Sequence, residues 1–352
     1  MGKLDRYISR NVLGATLLVL TVLVFLEALF SFLGQLEDVQ GDYQTVDVLI
    51  YVVLMMPKRL YELIPVSSLV GCLAGLGSMA SNSELVVMRA AGVSLWRILM
   101  GVMKPTLVMI LVGLALGEYL APMTEQIADT RRAIARSGSG SYSGAGFWHR
   151  EGQEFMYFNA VEPNGVLYGV SRYVFDDQMA LQESSFAKRG IYQGDHWLLE
   201  EVTTVRRENN AFVTRQDQVL PWDTSLTTTL LKVVVVKPEA LPITGLFTYT
   251  RYLTAQGLDA GEYDLALWTK LLQPLSILSL VLVGISFVFG PLRSVSMGLR
   301  IFAGVITGVV FMIVQNLMGP SSLVFGFPPV LSVLIPVFIC LLIGTVLLRR
   351  AA

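Results

Sequence analysis

Histidine and cysteine are almost missing from this chain, with two of each in 352 residues. Cys72 and Cys340 lie inside apolar runs, so they read as small buried hydrophobes rather than a disulfide framework or a thiolate metal site. His149 and His196 stand apart in the polar middle, leaving no His/Cys/carboxylate group for zinc or triad chemistry. There is no GxxxxGK[ST] stretch, no GxGxxG after a strand, no GxSxG elbow and no HExxH. The chain therefore binds no ATP through a phosphate loop, is not expected to be an enzyme, and any energy it uses comes from a partner. Charge is scarce too: 15% of residues are charged and 53% hydrophobic. With a mean hydropathy of +0.59, that excludes an ordinary soluble domain. Nothing marks a nucleic-acid partner, since the net charge is -1.

What is present is segregated. Long uncharged runs occupy both ends, and most charges lie between about 120 and 265. The first apolar run, 11–36, follows Lys3, Arg6 and Arg10 but is too long for a signal peptide and lacks a small-residue cleavage site, so it is expected to stay as a membrane span. A second region, 48–80, is interrupted by Pro57 and Pro65, and predicts a tilted or interfacial helix leading into a span near 60–80. A short helix follows at about 82–93, capped by Ser81 or Asn82 and stopped by Gly92. The third span, 95–121, is expected to end at Pro122; three more lie near 265–289, 299–318 and 329–348.

With six spans, Lys3, Arg6, Arg10, Arg89, Arg97, Lys104, Arg293, Arg300, Arg349 and Arg350 all fall on one side, which the positive-inside rule makes the cytoplasm. Both termini are then cytoplasmic and the middle is extracytoplasmic. That middle opens with a helical stretch, 124–136, and a Ser/Gly-rich segment, 137–146. Period-two runs at 154–158, 166–175, 185–192, 197–205 and 230–236, with turns at 163–165 and Gly194-Asp195, predict an antiparallel β domain. Its inward residues are expected to include Phe155, Tyr157, Val170, Phe175, Phe186 and Trp197.

Five ordered segments carry a resemblance: Leu4-Asp5-Arg6-Tyr7-Ile8, Ser83-Glu84-Leu85-Val86-Val87-Met88-Arg89-Ala90-Ala91-Gly92, Gly117-Glu118-Tyr119-Leu120-Ala121-Pro122, Gly146-Phe147-Trp148 and Phe289-Gly290-Pro291-Leu292-Arg293-Ser294. Together they resemble the LptF/LptG family of lipopolysaccharide-transport permeases, and Gln273-Pro274-Leu275 leans towards its LptG branch. The resemblance implies a six-helix (3+3) membrane protein with an inserted periplasmic β-jellyroll: helices in 1–122, the β domain in 123–262, helices in 263–352. It implies a bacterial inner-membrane exporter in which this chain pairs with an LptF-like permease, two copies of an LptB-like ATPase and a single-span LptC-like protein. That exporter passes lipopolysaccharide to a periplasmic bridge. No cofactor or metal belongs to this chain, and ATP with Mg belongs to the ATPase.

For individual residues the resemblance makes 82–93 a coupling helix docked on the ATPase, with Glu84 pairing an arginine there and Leu85, Met88 and Ala91 forming an apolar face beside Arg89 and Gly92. Lys58, Arg59, Arg131, Arg132 and Arg136 are candidate ligands for lipid phosphates, as guanidinium and ammonium chemistry allows. Relatives carry lysines at the outer end of the first span, where this chain has Ser31, Glu37 and Asp38. Glu27, inside the first span, faces a cavity or a partner chain or is protonated, with Lys270 of the fourth span as one candidate counter-ion; Lys270 otherwise extends to the interface or is a lipid ligand. Gly71, Ala74 and Gly75 on span two, and Gly304 and Gly308 on span five, offer close-packing faces. Because spans one and five build the family's heterodimer interface, Gly304 and Gly308 are gate candidates. Two rivals remain: a lipoprotein-release type of mechanotransmitting subunit, which would place its large domain after the first span, and a membrane-embedded lipid-modifying enzyme, for which only Glu118, Glu125 and Asp129 are available.

Overall fold

A computed structural model describes residues 2–37, 39, 43–137, 147–161, 166–176, 178, 180–208, 211–224, 237–255, 259–291 and 295–351. The expected turn at 163–165 and strand at 230–236 lie outside these residues, as do most of 137–146 and Leu292 to Ser294.

The helices are α1 (Lys3–Leu36), α2 (Thr45–Ser81), α3 (Glu84–Ala90), α4 (Leu95–Ala115), a π-helical turn (Leu116–Leu120), α5 (Ala121–Ser137), α6 (Ile243–Ala255), α7 (Gly261–Phe289), α8 (Met297–Phe325) and α9 (Pro329–Ala351). Six helical stretches are long and apolar enough to cross a membrane: α1, α2, the stretch from Leu95 to Arg132, α7, α8 and α9. Between the third and fourth of them in sequence come six strands: β1 (Phe147–Glu151), β2 (Glu154–Val161), β3 (Leu167–Phe175), β4 (Leu181–Tyr192), β5 (Trp197–Glu208) and β6 (Ala211–Trp222).

The chain divides into two compact units. The first, 1–30 with 56–122 and 241–352, is helical and centres on α2. One face of α2 meets α1, where a Cβ on Gly71 would fall 2.3 Å from the Thr16 Cα and one on Gly75 would fall 2.9 Å from the Val12 Cα. The expected close packing at these glycines is therefore present, at backbone-to-backbone range. Leu69 of α2 lies against Gly284 of α7.

Three proline positions depart from expectation. The break predicted in span two does not occur, because α2 runs unbroken through Pro57 and Pro65. Proline at position i leaves the carbonyl at i-4 without its helical donor, and for Pro65 that carbonyl belongs to Tyr61. Gln273 Nε2 of α7 donates to it at 3.1 Å. The same repair recurs at Pro105 in α4, where Ser9 Oγ of α1 donates to the Gly101 carbonyl at 2.7 Å. Nor does the third span stop at Pro122; the π turn lies just before this proline and the helix continues to Ser137.

The second unit, 31–55 with 123–240, holds the sheet. All neighbouring strands are antiparallel, in the order β1-β2-β3-β4-β5-β6. β1 and β6 fall outside the period-two runs of the sequence. Gly194, at φ 106°, makes the expected β4–β5 turn. Met156, Phe158, Leu167, Val170, Ala187, Trp197, Leu199, Val202 and Trp222 form the core. Val170 and Trp197 fall where expected, whereas Phe186 is exposed and Phe155 pairs across from Tyr173 on the face opposite Met156 and Phe158. A one-residue change of parity moves a side chain to the other face of a strand. The other face carries its own aromatic contacts, Trp148 to Tyr157 at 5.1 Å and Trp148 to Tyr173 at 5.9 Å between ring centroids.

Candidate functional site: a short helix at the end of α2

Only Asn82 and Ser83 separate α2 from α3. The reversal is made by Ser83, whose backbone sits in the left-handed region at φ 61°. Neither Ser81 nor Asn82 caps α3, since Ser81 is still in α2 and its Oγ donates back to the Gly77 carbonyl at 3.0 Å. At the other end Gly92, at φ 83°, stops the helix as expected. The Val93 N–H donates to the Met88 carbonyl and the Gly92 N–H to the Arg89 carbonyl, both at 3.0 Å, which is a Schellman closure. Ser94 then caps α4 by accepting from the Arg97 N–H.

The faces of α3 differ from the expected arrangement. Leu85 is buried in the helical core and Met88 packs against it, so these two anchor α3 to its own bundle. The apolar surface left outward is Val86 and Val87, with Trp96 on α4, while Arg89 and Ala91 are also exposed. A helix this brief is not stable alone, and tertiary burial of its apolar residues is what holds it.

The first turns of α1 grip this segment. Tyr7 Oη donates to Glu84 Oε2 at 2.9 Å. Asp5 pairs with Lys104 at 3.1 Å and with Arg97 at 3.5 Å. Ile8 fills the space beside Gly101, where a Cβ would come within 3.2 Å. Two of the sequence segments that carry the resemblance are thus in direct contact. Nothing in the spacing of Tyr7 and Glu84 along the chain announces this.

The charged candidates separate into different environments. Glu27 is paired by Arg59 Nε at 3.3 Å, not by Lys270, and Arg59 also reaches Glu62 at 3.1 Å. Lys270 is buried and donates to the Leu241 carbonyl at 2.6 Å, which leaves it poorly placed to meet a lipid phosphate. Lys58 is half-buried. In the second unit, Arg132 lies over the Tyr51 ring at 5.3 Å, a cation–π contact, and Arg131 is exposed. The side chain of Arg136 lies outside the described residues. Among the described residues no group of three or more His, Cys, Asp or Glu could hold a metal.

Glu118, in the π turn, caps α6: it accepts from the Ile243 N–H at 2.7 Å and from Thr244 Oγ1 at 3.0 Å. Its neighbour Gly117 has no room for a side chain, since a Cβ would meet the Tyr61 ring at 2.5 Å. The segment 117–122 is therefore a packing and capping device rather than a carboxylate active site.

Gly304 and Gly308 face α2, not a partner. A Cβ on Gly304 would fall 2.4 Å from Leu73 and one on Gly308 2.8 Å from Val66. The uncovered face of α8 carries Phe302, Ile306, Val310, Ile313 and Leu317, and α1 leaves Leu18, Val22, Phe25 and Phe30 uncovered. In their most apolar windows α1 is 17% buried and α8 22%, against 72% for α2.

Six helices long and apolar enough to cross a membrane, with a six-stranded antiparallel sheet between the third and fourth in sequence, define a polytopic membrane subunit of the permease type. The family model for lipopolysaccharide export system permease LptF/LptG matches residues 6–350, and the chain belongs to that family. It is 38% identical to the lipopolysaccharide export system permease protein LptG of Escherichia coli K12 over 354 residues, covering 99% of this chain and 98% of the relative. It is 35% identical to the protein of the same name from Haemophilus influenzae, covering 96% and 95%.

Proposed function

We propose that this chain is the LptG-type permease subunit of an ATP-driven exporter that extracts lipopolysaccharide from the outer leaflet of the bacterial inner membrane and hands it to a periplasmic bridge. The observation that carries the reading is near full-length similarity to LptG proteins, together with a short helix held rigidly at the end of α2. In this reading α3 and the turn at Gly92 dock on an LptB-like ATPase, which supplies ATP and Mg chemistry. Glu84, oriented by Tyr7 through Oε2, offers its other carboxylate oxygen to a basic residue of the ATPase, and Val86, Val87 and Arg89 supply the remaining contact. Both termini and α3 are cytoplasmic, as the positive-inside rule indicates, and the sheet is periplasmic.

The uncovered apolar faces of α1 and α8 suit a second permease chain, LptF-like, with the lipid cavity between the two. Two ATPase copies and a single-span LptC-like protein complete the assembly. Arg131, Arg132, Lys58 and Arg136 remain the candidates for lipid phosphate; Arg59 serves Glu27 and Glu62.

The test is ATP-dependent release of lipopolysaccharide from proteoliposomes holding this chain with its partners, wild type against Glu84→Ala. Loss of release with the complex intact is the expected result. Full transport by the variant removes Glu84 from the mechanism, and no transport by the wild type removes the exporter reading.

A further inference from the structure

Arg300 sits in the first turn of α8 and is only 3% exposed. A basic residue at the end of a membrane helix ordinarily extends to water or to the headgroups. Arg300 instead turns inward: its Nη1 donates to the Gly77 carbonyl at 2.8 Å and reaches Ser81 Oγ at 3.4 Å. Both acceptors belong to the C-terminal end of α2, where a cation is favoured by the helix dipole. Gly77 is itself shaped to the guanidinium stem, since a Cβ there would meet Met297 Sδ at 3.0 Å and Arg300 Cδ at 3.3 Å. Below this clamp, at spacing of four, Gly304 and Gly308 place α8 against Leu73 and Val66 with no side chain between to slip.

The geometry points to Arg300 as a positioning residue that ties the stroke of α3 to the uncovered face of α8. This rests on the reading of α3 as the ATPase-docking helix. Two residues join α3 to the end of α2 that Arg300 grips. A displacement of α3 therefore reaches α2 first, and the Arg300 bonds together with the glycine contacts carry it to α8 as a rigid pair. Phe302, two residues on, is 61% exposed and lies on the face turned away from α2. Movement of α8 would shift this face, and with it the opening between two permease chains. A contiguous packed and hydrogen-bonded chain of this kind is a physical route for coupling, and becomes a mechanism only when both ends are shown to move together.

The experiment uses the whole complex in proteoliposomes, with Cys72 and Cys340 replaced by serine and alanine and a spin label at Phe302→Cys facing one on the partner permease. ATP hydrolysis, lipopolysaccharide release and the label distance with and without ATP are read for wild type, Arg300→Met and Arg300→Lys. Arg300→Met is expected to keep ATP hydrolysis while release falls about tenfold, a typical size for allosteric coupling, and the ATP-dependent label shift disappears. Arg300→Lys, keeping one charged donor, restores part of both. If Arg300→Met does not assemble, Gly77→Ala, which pushes against the Arg300 stem, takes its place with the same expected split. Retained release and label shift in Arg300→Met, or in its replacement, overturn the proposal. Glu84→Ala in parallel separates the two ideas: unimpaired transport by that variant removes Glu84 from the docking contact, whereas loss there with normal Arg300 variants sinks only the clamp.

Discussion

Glu84 has a hydroxyl donor from its own chain, which sets its orientation before any partner arrives. A hydrogen bond of this type contributes about 1 kcal/mol, or about a fivefold effect. Tyr7→Phe is therefore expected to lower coupled lipopolysaccharide release by about that factor while lowering the melting temperature by no more than a few degrees, whereas Glu84→Ala removes coupling altogether. Release assayed beside the melting temperature of each purified complex checks this.

Glu118 acts on stability instead. Loss of an N-cap costs about 1 kcal/mol, so Glu118→Ala should lower the melting temperature in detergent by a few degrees and leave ATPase binding intact. Asp176 adds a pH dependence in the β domain. The Ala180 N–H, helped by the Gln182 side chain and the Gln178 N–H, holds its carboxyl below the ordinary range. A depressed folded value means this contribution is present above the unfolded value and fades as pH falls through the folded one. Asp176→Asn should lower stability at neutral pH, where that contribution is present, leave the acid limb in place, and so flatten the stability–pH curve of the whole chain between them.

At the scale of elements, the prolines of α2 and α4 explain residues that look unrelated in sequence. Gln273 repairs the carbonyl that Pro65 leaves free, and removing the donor strands a half-buried acceptor at a cost of about 1 kcal/mol. Gln273→Leu should be destabilising by that amount, and Pro65→Ala should rescue it, because residue 65 then supplies its own N–H. A double-mutant cycle on denaturant or thermal unfolding reads this coupling directly. Gly71 has no such remedy. The Thr16 Cα lies 2.3 Å from where the first side-chain carbon of residue 71 would sit, so any larger residue must push α1 off α2. Gly71→Leu is expected to prevent folding, seen as loss of chain from the membrane fraction.

For the molecule as a whole, the helices α1 and α8 leave many large apolar side chains without protein cover. Lipid can cover such faces, and so can a second permease chain. With cysteines at Phe25 and Phe302 in turn, disulfide cross-linking to an LptF-like partner is expected in the membrane, and cross-linking only between copies of this chain would count against the heterodimer. The six spans, the family and the inserted antiparallel domain were all legible beforehand, because hydropathy, basic flanks and period-two alternation are local signals that survive without coordinates. Helix continuity through Pro57, Pro65 and Pro122 was not. Proline reads as a breaker from its own chemistry, and what restores the helix is a donor or a π turn supplied by the surroundings.

The candidate site divides along the same line. That 84–92 is a short helix ended by glycine was written in its residues, since a glycine such as Gly92 accepts the left-handed backbone at no steric cost. Which of its faces points outward was decided by tertiary packing, which buried Leu85 and Met88 and left Val86 and Val87 outside. The pairings Glu27 with Arg59, Tyr7 with Glu84 and Arg300 with Gly77 bring together residues 32, 77 and 223 positions apart. Sequence alone determined the class of residue at each of those places. Only the fold could choose the partners, because a hydrogen bond acts over about 3 Å and no periodicity along the chain encodes which helices lie that close.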